Sequence, residues 1–180
     1  METCQGFWNE EFKGYSLWGR EKMSVEKMGK LQVRVKRVND KVGRTIPTPF
    51  YATPGSAGLD LAACLDEPVI LEPGRRAKIP TGIAIQIPHP GIVGLLFPRS
   101  GNALKHGISL TNAVGVIDSD YTGEIQVILQ NLDPTDPFII RPGDRIAQLI
   151  FLPIMQAELL FTDRLEETER QSGGFGSTGR

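Results

Sequence analysis

The chain has 180 residues, 40% of them apolar and 23% charged, enough for one sizeable domain with a hydrophobic core and too few for two. Its 20 Lys+Arg against 21 Asp+Glu leave a formal charge of -1, so composition offers no basic surplus from which a nucleic-acid surface would be inferred. The 20 glycines and 13 prolines are spread along the whole length, which excludes a helical bundle and favours short strands joined by turns.

Residues 1–30 carry both tryptophans, Trp8 and Trp18, with Phe7, Phe12 and Tyr15 scattered among charges without a period of 2 or 3.6. They read as a poorly ordered N-terminal extension. No apolar run of signal-peptide length opens the chain, and no stretch of ~18 apolar residues follows, so the expectation is a soluble cytoplasmic protein with no membrane partner. Cys4 and Cys64 form no close motif and are too few for a disulfide scaffold.

From Leu31 the texture changes to alternation, Leu31-Gln32-Val33-Arg34-Val35, which predicts a half-buried strand. Further strands are predicted at 69–71, 76–79, 83–87, 91–97, 108–110, 115–117, 124–131, 138–140 and 147–151, each bounded by Gly, Pro, Asp or Asn. A short helix is predicted over 99–106, with Pro98 before it and Gly107 after. Only 30–42 and 154–172 are free of Gly and Pro for long enough to hold a longer helix. The tail from Asp163 ends in Gly, Ser and Thr and reads as a mobile arm. The predicted fold is mainly β, a distorted antiparallel barrel of jelly-roll type over 31–162, flanked by the extension 1–30 and the arm 163–180.

Three patterns carry chemistry, and each also has an ordinary reading. Gly174-Phe175-Gly176-Ser177-Thr178-Gly179 matches a dinucleotide fingerprint, but only Arg180 follows, so no helix is left to receive a pyrophosphate. The glycines and hydroxyls still suit wrapping of phosphate oxygens, or simply a flexible tail. Pro98-Arg99-Ser100-Gly101 offers a guanidinium fork and a hydroxyl at a helix start, an anion cradle or a common surface pattern. Gly115 to Glu124 runs an apolar strand into Asp118-Ser119-Asp120-Tyr121 and turns at Thr122-Gly123. That predicts a β-hairpin with carboxylates at its tip, functional or merely solvated. His89 and His106 lie far apart and near no cysteine, so a metal site of soft ligands is not expected; a divalent ion would be a hard one held by oxygen.

Taken together, five segments in order resemble the homotrimeric dUTPases: Ala57-Gly58-Leu59-Asp60-Leu61, Pro98-Arg99-Ser100-Gly101, Asn112 with 115–124, Gly143-Asp144-Arg145-Ile146-Ala147-Gln148-Leu149, and 173–179. The resemblance covers roughly Leu31 to Arg180. It implies attack of water on the α-phosphorus of dUTP, giving dUMP and pyrophosphate, which would limit uracil entry into DNA and supply dUMP for thymidylate synthesis. It implies Asp118 as general base and as partner of the 3′-hydroxyl, and Gln148 as a group that orients the water. Tyr121 would pack beneath the deoxyribose and leave no room for a 2′-hydroxyl. Main-chain groups around Val116, Ile117 and Gln126, with Asn112, would read uracil. Arg99, Ser100, Gly101 and Gln148 would hold the phosphates, bridged by Mg²⁺ whose water shell Asp60 orders. The arm would then close over a neighbouring site, Phe175 stacking on uracil while Arg170, Gly176, Ser177 and Thr178 engage the terminal phosphates. Two positions depart from the family pattern: Leu is commoner than Asn102, a change expected to touch helix packing only, and Gly is common at Gln171. The related dCTP deaminases and a non-catalytic trimer on the same fold are the rival readings.

Overall fold

The structure, a computed structural model, describes residues 30–169 and 171–173. The chain divides into a unit of Met1–Val33 and a unit of Arg34–Arg180. In the first, residues 30–33 are described and have no regular secondary structure; the rest of the predicted extension lies outside the described residues.

In the second unit the elements run β1 (Arg34–Arg37), β2 (Phe50–Tyr51), β3 (Leu59–Ala62), β4 (Val69–Leu71), β5 (Arg76–Gln86) and β6 (Ile92–Phe97). A single described helix, α1 (Ser100–His106), precedes β7 (Ile108–Leu110), β8 (Gly115–Ile117), β9 (Glu124–Asn131), β10 (Phe138–Ile140) and β11 (Arg145–Pro153). All strand pairs are antiparallel, in sheets ordered β1-β5-β9-β7, β10-β4 and β2-β3-β11-β6-β8. The mainly β antiparallel class is as expected, although the sheets do not close into a barrel.

Alternation builds the core. Along β9, Ile125, Val127 and Leu129 point inward and are fully buried, whereas Gln126 and Ile128 do not. With Ile79 and Ile83 of β5 and with Ile140, Ile146 and Leu149 they are among the fully buried residues, each worth about 1.5–3 kcal/mol of burial. Asn131 ends the inward row without penalty. Its amide donates to the Leu71 and Asp136 carbonyls at 2.9 and 2.8 Å, and its oxygen accepts from the Asp133 N–H.

Three expectations fail. β1 is exposed at all four residues, not half-buried: it is an edge strand paired only with β5, and its one apolar residue, Val35, is 55% exposed. The predicted hairpin at 115–131 does not exist either. β8 pairs with β6 in the five-stranded sheet, and β9 pairs with β5 and β7 in the four-stranded one. The Asp118–Tyr121 turn, closed by the Tyr121 N–H donating to the Asp118 carbonyl at 3.2 Å, carries the chain from one sheet to the other. The two strands predicted at 76–79 and 83–87 are one strand broken by a bulge, and no helix forms in the described residues of 154–172.

Candidate active site

Gln148 of β11 stands in register with Asp60 of β3 on one side and Phe97 of β6 on the other. Directly opposed residues share a face, so Asp60 and Gln148 project together. Between Arg145 and Ala147 the register slips: Arg145 pairs with Ala62, and Ala147 with Leu61. The extra residue, Ile146, reverses the alternation of β11 and turns Arg145 to the face of Asp60, while Ile146 itself enters the core.

The bulge completes a charged cluster. Asp60 is buried; Arg99 Nε donates to its Oδ1 at 2.8 Å, and Arg99 Nη2 and Arg145 Nη1 donate to its Oδ2 at 3.4 and 3.0 Å. One carboxylate thus holds two guanidinium groups in place and leaves a net positive charge. The Gln148 amide donates to the Pro98 carbonyl at 3.1 Å, and the Asn102 amide to the Arg145 carbonyl at 3.1 Å. Three side-chain tethers therefore fix 98–102 to β3 and β11. The helix that follows buries no residue of its own. Asn102, expected to touch only helix packing, is one of these tethers.

The cluster opens into a cleft of about 670 Å³. Three cations, Arg99, Lys105 and Arg145, and one carboxylate, Asp60, line it, together with Ser100, Gly101, Asn102 and Gln148. The surplus of positive charge and polar donors suits a polyanion such as a triphosphate. Gly58 forms its wall where a Cβ would lie 2.8 Å from Gln148 Oε1. Among the described residues no group of three or more His, Cys, Asp or Glu could hold a metal ion. Asp60 is a lone carboxylate whose oxygens already accept from two arginines and retain some acceptor capacity. It therefore suits contact with a substrate-borne ion through water rather than direct ligation.

The predicted site residues fall into three sets. Asp60, Arg99, Ser100, Gly101 and Gln148 come together in the cleft. Asn112, Val116, Ile117, Asp118, Tyr121 and Gln126 do not line it. Arg170, Phe175, Gly176, Ser177 and Thr178 lie outside the described residues. In the second set the Asp118 carboxylate is exposed. Asn112 sits in a tight turn whose next residue, Ala113, has φ +59°, the left-handed region. The Tyr121 ring folds back on its own turn, its hydroxyl donating to the Glu124 carbonyl at 3.0 Å. Arg145 and Lys105 are cleft cations to which sequence reasoning gave no role, although they lie three and four positions from the predicted site residues Gln148 and Gly101. Gln171, where the family often has Gly, has φ +43°, a conformation glycine adopts at less cost.

A dUTPase family profile matches residues 44–179. The deoxyuridine 5′-triphosphate nucleotidohydrolase of Tolumonas auensis is 52% identical over 149 residues, 83% of this chain and 98% of the relative. That of Desulfitobacterium hafniense is 50% identical over 147 residues, 82% and 97%. Among solved structures, a mutant dUTPase of Staphylococcus bacteriophage 80alpha with dUpNHpp is similar with TM-score 0.68 and 28% identity, over 83% of this chain and 99% of that one. A mutant dUTPase from phage phi11 of S. aureus, described with a structural Mg(II) ion, has TM-score 0.65 and 27% identity, over 76% and 99%. With five motifs in order, an antiparallel β fold and a cationic cleft built from three of those motifs, the chain belongs to the dUTPase family.

Proposed function

We propose that the chain hydrolyses dUTP to dUMP and pyrophosphate, in sites assembled between copies of a homotrimer. The carrying observation is that, among the described residues, the Asp118–Tyr121 turn, which such chemistry also needs, does not line the cleft of the phosphate cradle. A neighbouring copy supplying the turn would unite them.

In that site Arg99, Arg145, Ser100 and Gly101 hold the triphosphate. The Asp118 carboxylate takes a proton from the attacking water as its oxygen bonds the α-phosphorus, and the bond to the bridging oxygen breaks toward pyrophosphate. Gln148 orients that water. Mg²⁺, held chiefly by the phosphates and through water by Asp60, would offset their charge and orient the chain of phosphates. The edge position of β8 favours the proposed uracil readout. Paired only with β6, it keeps an outer row of main-chain donors and acceptors free of the ladder beside Val116 and Ile117. β7 ends at Leu110, so the β9 edge near Gln126 is likewise uncovered by it. Such fixed groups would pair with uracil and leave cytosine with unmatched partners, at about 1–3 kcal/mol each. Tyr121 walls off the 2′-position, and the arm 163–180 of a third copy closes the site through Arg170, Phe175, Gly176, Ser177 and Thr178. The cellular result would be removal of dUTP before uracil enters DNA and a supply of dUMP for thymidylate synthesis, in the cytoplasm. Among the described residues no helix is long and apolar enough to cross a membrane.

Hydrolysis with Mg²⁺ in ¹⁸O-labelled water tests the reading. Attack on the α-phosphorus places the label in dUMP and none in pyrophosphate. Ammonia from dCTP with no pyrophosphate from dUTP would refute it.

A further inference from the structure

The β5–β9 ladder is interrupted beside the Asp118–Tyr121 turn. Its register jumps from Pro80↔Gln126 to Ala84↔Glu124, so Thr81, Gly82 and Ile83 oppose the single residue Ile125. Side chains replace the missing main-chain bonds. The buried Thr81 hydroxyl donates to the Ile125 carbonyl at 2.6 Å, and the Glu124 carboxylate accepts from the Gly82 N–H at 2.8 Å. Gly82 has little freedom there: its φ is +71°, its carbonyl accepts from the Val38 and Asn39 N–H groups, and a Cβ would lie 2.6 Å from Val42 and 2.7 Å from the Cys64 sulfur. Glu124 is thus moored to a fixed point of the fold.

The same residue carries the other end of the tether. Its second carboxylate oxygen accepts from the Gln126 amide at 3.2 Å, and its main-chain carbonyl accepts the Tyr121 hydroxyl at 3.0 Å. The Tyr121 ring lies so close over Gly123 that a Cβ there would fall 2.6 Å from the hydroxyl oxygen and 2.7 Å from Cζ. An aromatic ring that is 45% exposed would ordinarily sample several rotamers. Here its hydroxyl is held by the Glu124 carbonyl, and Glu124 is anchored to β5.

We propose that Glu124 is a positioning residue for sugar selection. By tying the turn to the β5 bulge, its carboxylate fixes the Tyr121 ring before substrate arrives, so the wall against a 2′-hydroxyl is preformed. The proposal rests on the reading of Tyr121 given above. A Glu that only satisfied a stray bulge N–H would affect stability alone; a positioning residue sets the ratio of deoxyribonucleotide to ribonucleotide turnover.

The test compares kcat/KM for dUTP and UTP in the full-length protein, well below each variant's Tm. Glu124→Ala should raise the UTP/dUTP ratio about tenfold, the scale expected when a contact group drifts by a fraction of an ångström. Glu124→Gln keeps an acceptor for the Gly82 N–H and should hold the ratio within about threefold of wild type. Thr81→Val removes the neighbouring bulge bond, should lower Tm, and should leave the ratio alone. If Glu124→Ala does not fold, Tyr121→Phe cuts the tether at its other end and should relax the ratio similarly. An unchanged ratio in a folded Glu124→Ala or in Tyr121→Phe, a Gln variant as relaxed as the Ala variant, or an equal relaxation in Thr81→Val would overturn the proposal. A wild-type protein that turns over UTP as readily as dUTP would instead overturn the reading of Tyr121 beneath it.

Discussion

Gly58→Ala separates the geometry of the cradle from its stability. No positive φ is required at Gly58, so alanine is compatible with the backbone, and the consequence is confined to the side chain it meets. The added Cβ would lie 2.8 Å from Gln148 Oε1 and 3.1 Å from its Cβ, where ordinary contact begins at 3.4 Å, so the amide must retreat by about 0.6 Å. The Gln148–Pro98 bond, already 3.1 Å, would then stretch beyond useful length. Losing it costs about 0.5–1.5 kcal/mol. Replacing Gly by Ala returns about 0.4–1 kcal/mol through the unfolded chain. Tm should therefore shift by less than about 4 °C. Activity has no such compensation: if Gln148 orients the water as proposed, its amide displaced by half an ångström should lower kcat by about 10- to 100-fold. Continuous pyrophosphate release and a thermal melt on the same preparation suffice. A folded variant with wild-type kcat would remove Gln148 from its proposed role.

The shared site can be tested by complementation. Gln148→Ala and Asp118→Asn should each lower turnover by about 10²-fold or more. Co-expressed, random mixed trimers should regain about a quarter of wild-type activity, because a quarter of sites draw both intact residues from different copies; no recovery would place both in one chain. Deleting 170–180 should leave the proposed trimer intact by sedimentation while activity collapses, and a fully active truncation would refute the lid. Burial, reinforced by the Glu124 and Asp40 carboxylates and opposed by Lys41, raises the Cys64 thiol above the ordinary value for a cysteine. Below that value the thiol is neutral folded and unfolded; above it the unfolded chain ionises first, so stability falls as pH rises. Between about pH 8 and about pH 10, urea unfolding should show a larger loss for wild type than for Cys64→Ala, and parallel losses would contradict this.

Much of the cradle was legible because it is local. Pro98-Arg99-Ser100-Gly101 names its own chemistry in four residues, and Gly107 at φ +62° ends the helix where the sequence places it. Arg145 was not legible. Strict alternation from Gln148 puts Ile146, not Arg145, on the face of Asp60, and only the bulge, a property of the paired strand, reverses this. The strand of Asp60 was missed because four residues following Gly58 give no countable period. The false hairpin had a related cause. Two apolar runs flanking a polar turn look alike whether they pair with each other or with different sheets, and the choice lies with β5, β6 and β7, outside the run itself.

The helix that buries nothing has a thermal consequence. α1 exposes Leu104 at 88%, makes no side-chain cap and buries no residue, so its docking rests on polar tethers at Asp60, Arg145 and Pro98 and on the His106 ring 5.2 Å from that of Phe138. Such contacts open at far lower free energy than the β5–β9 core. Local opening of 98–106 releases Arg99 and the turn proposed to hold the phosphates while both sheets remain folded. Heating should thus silence the enzyme before it unfolds, and bound pyrophosphate, by clasping that segment, should bring the two temperatures together.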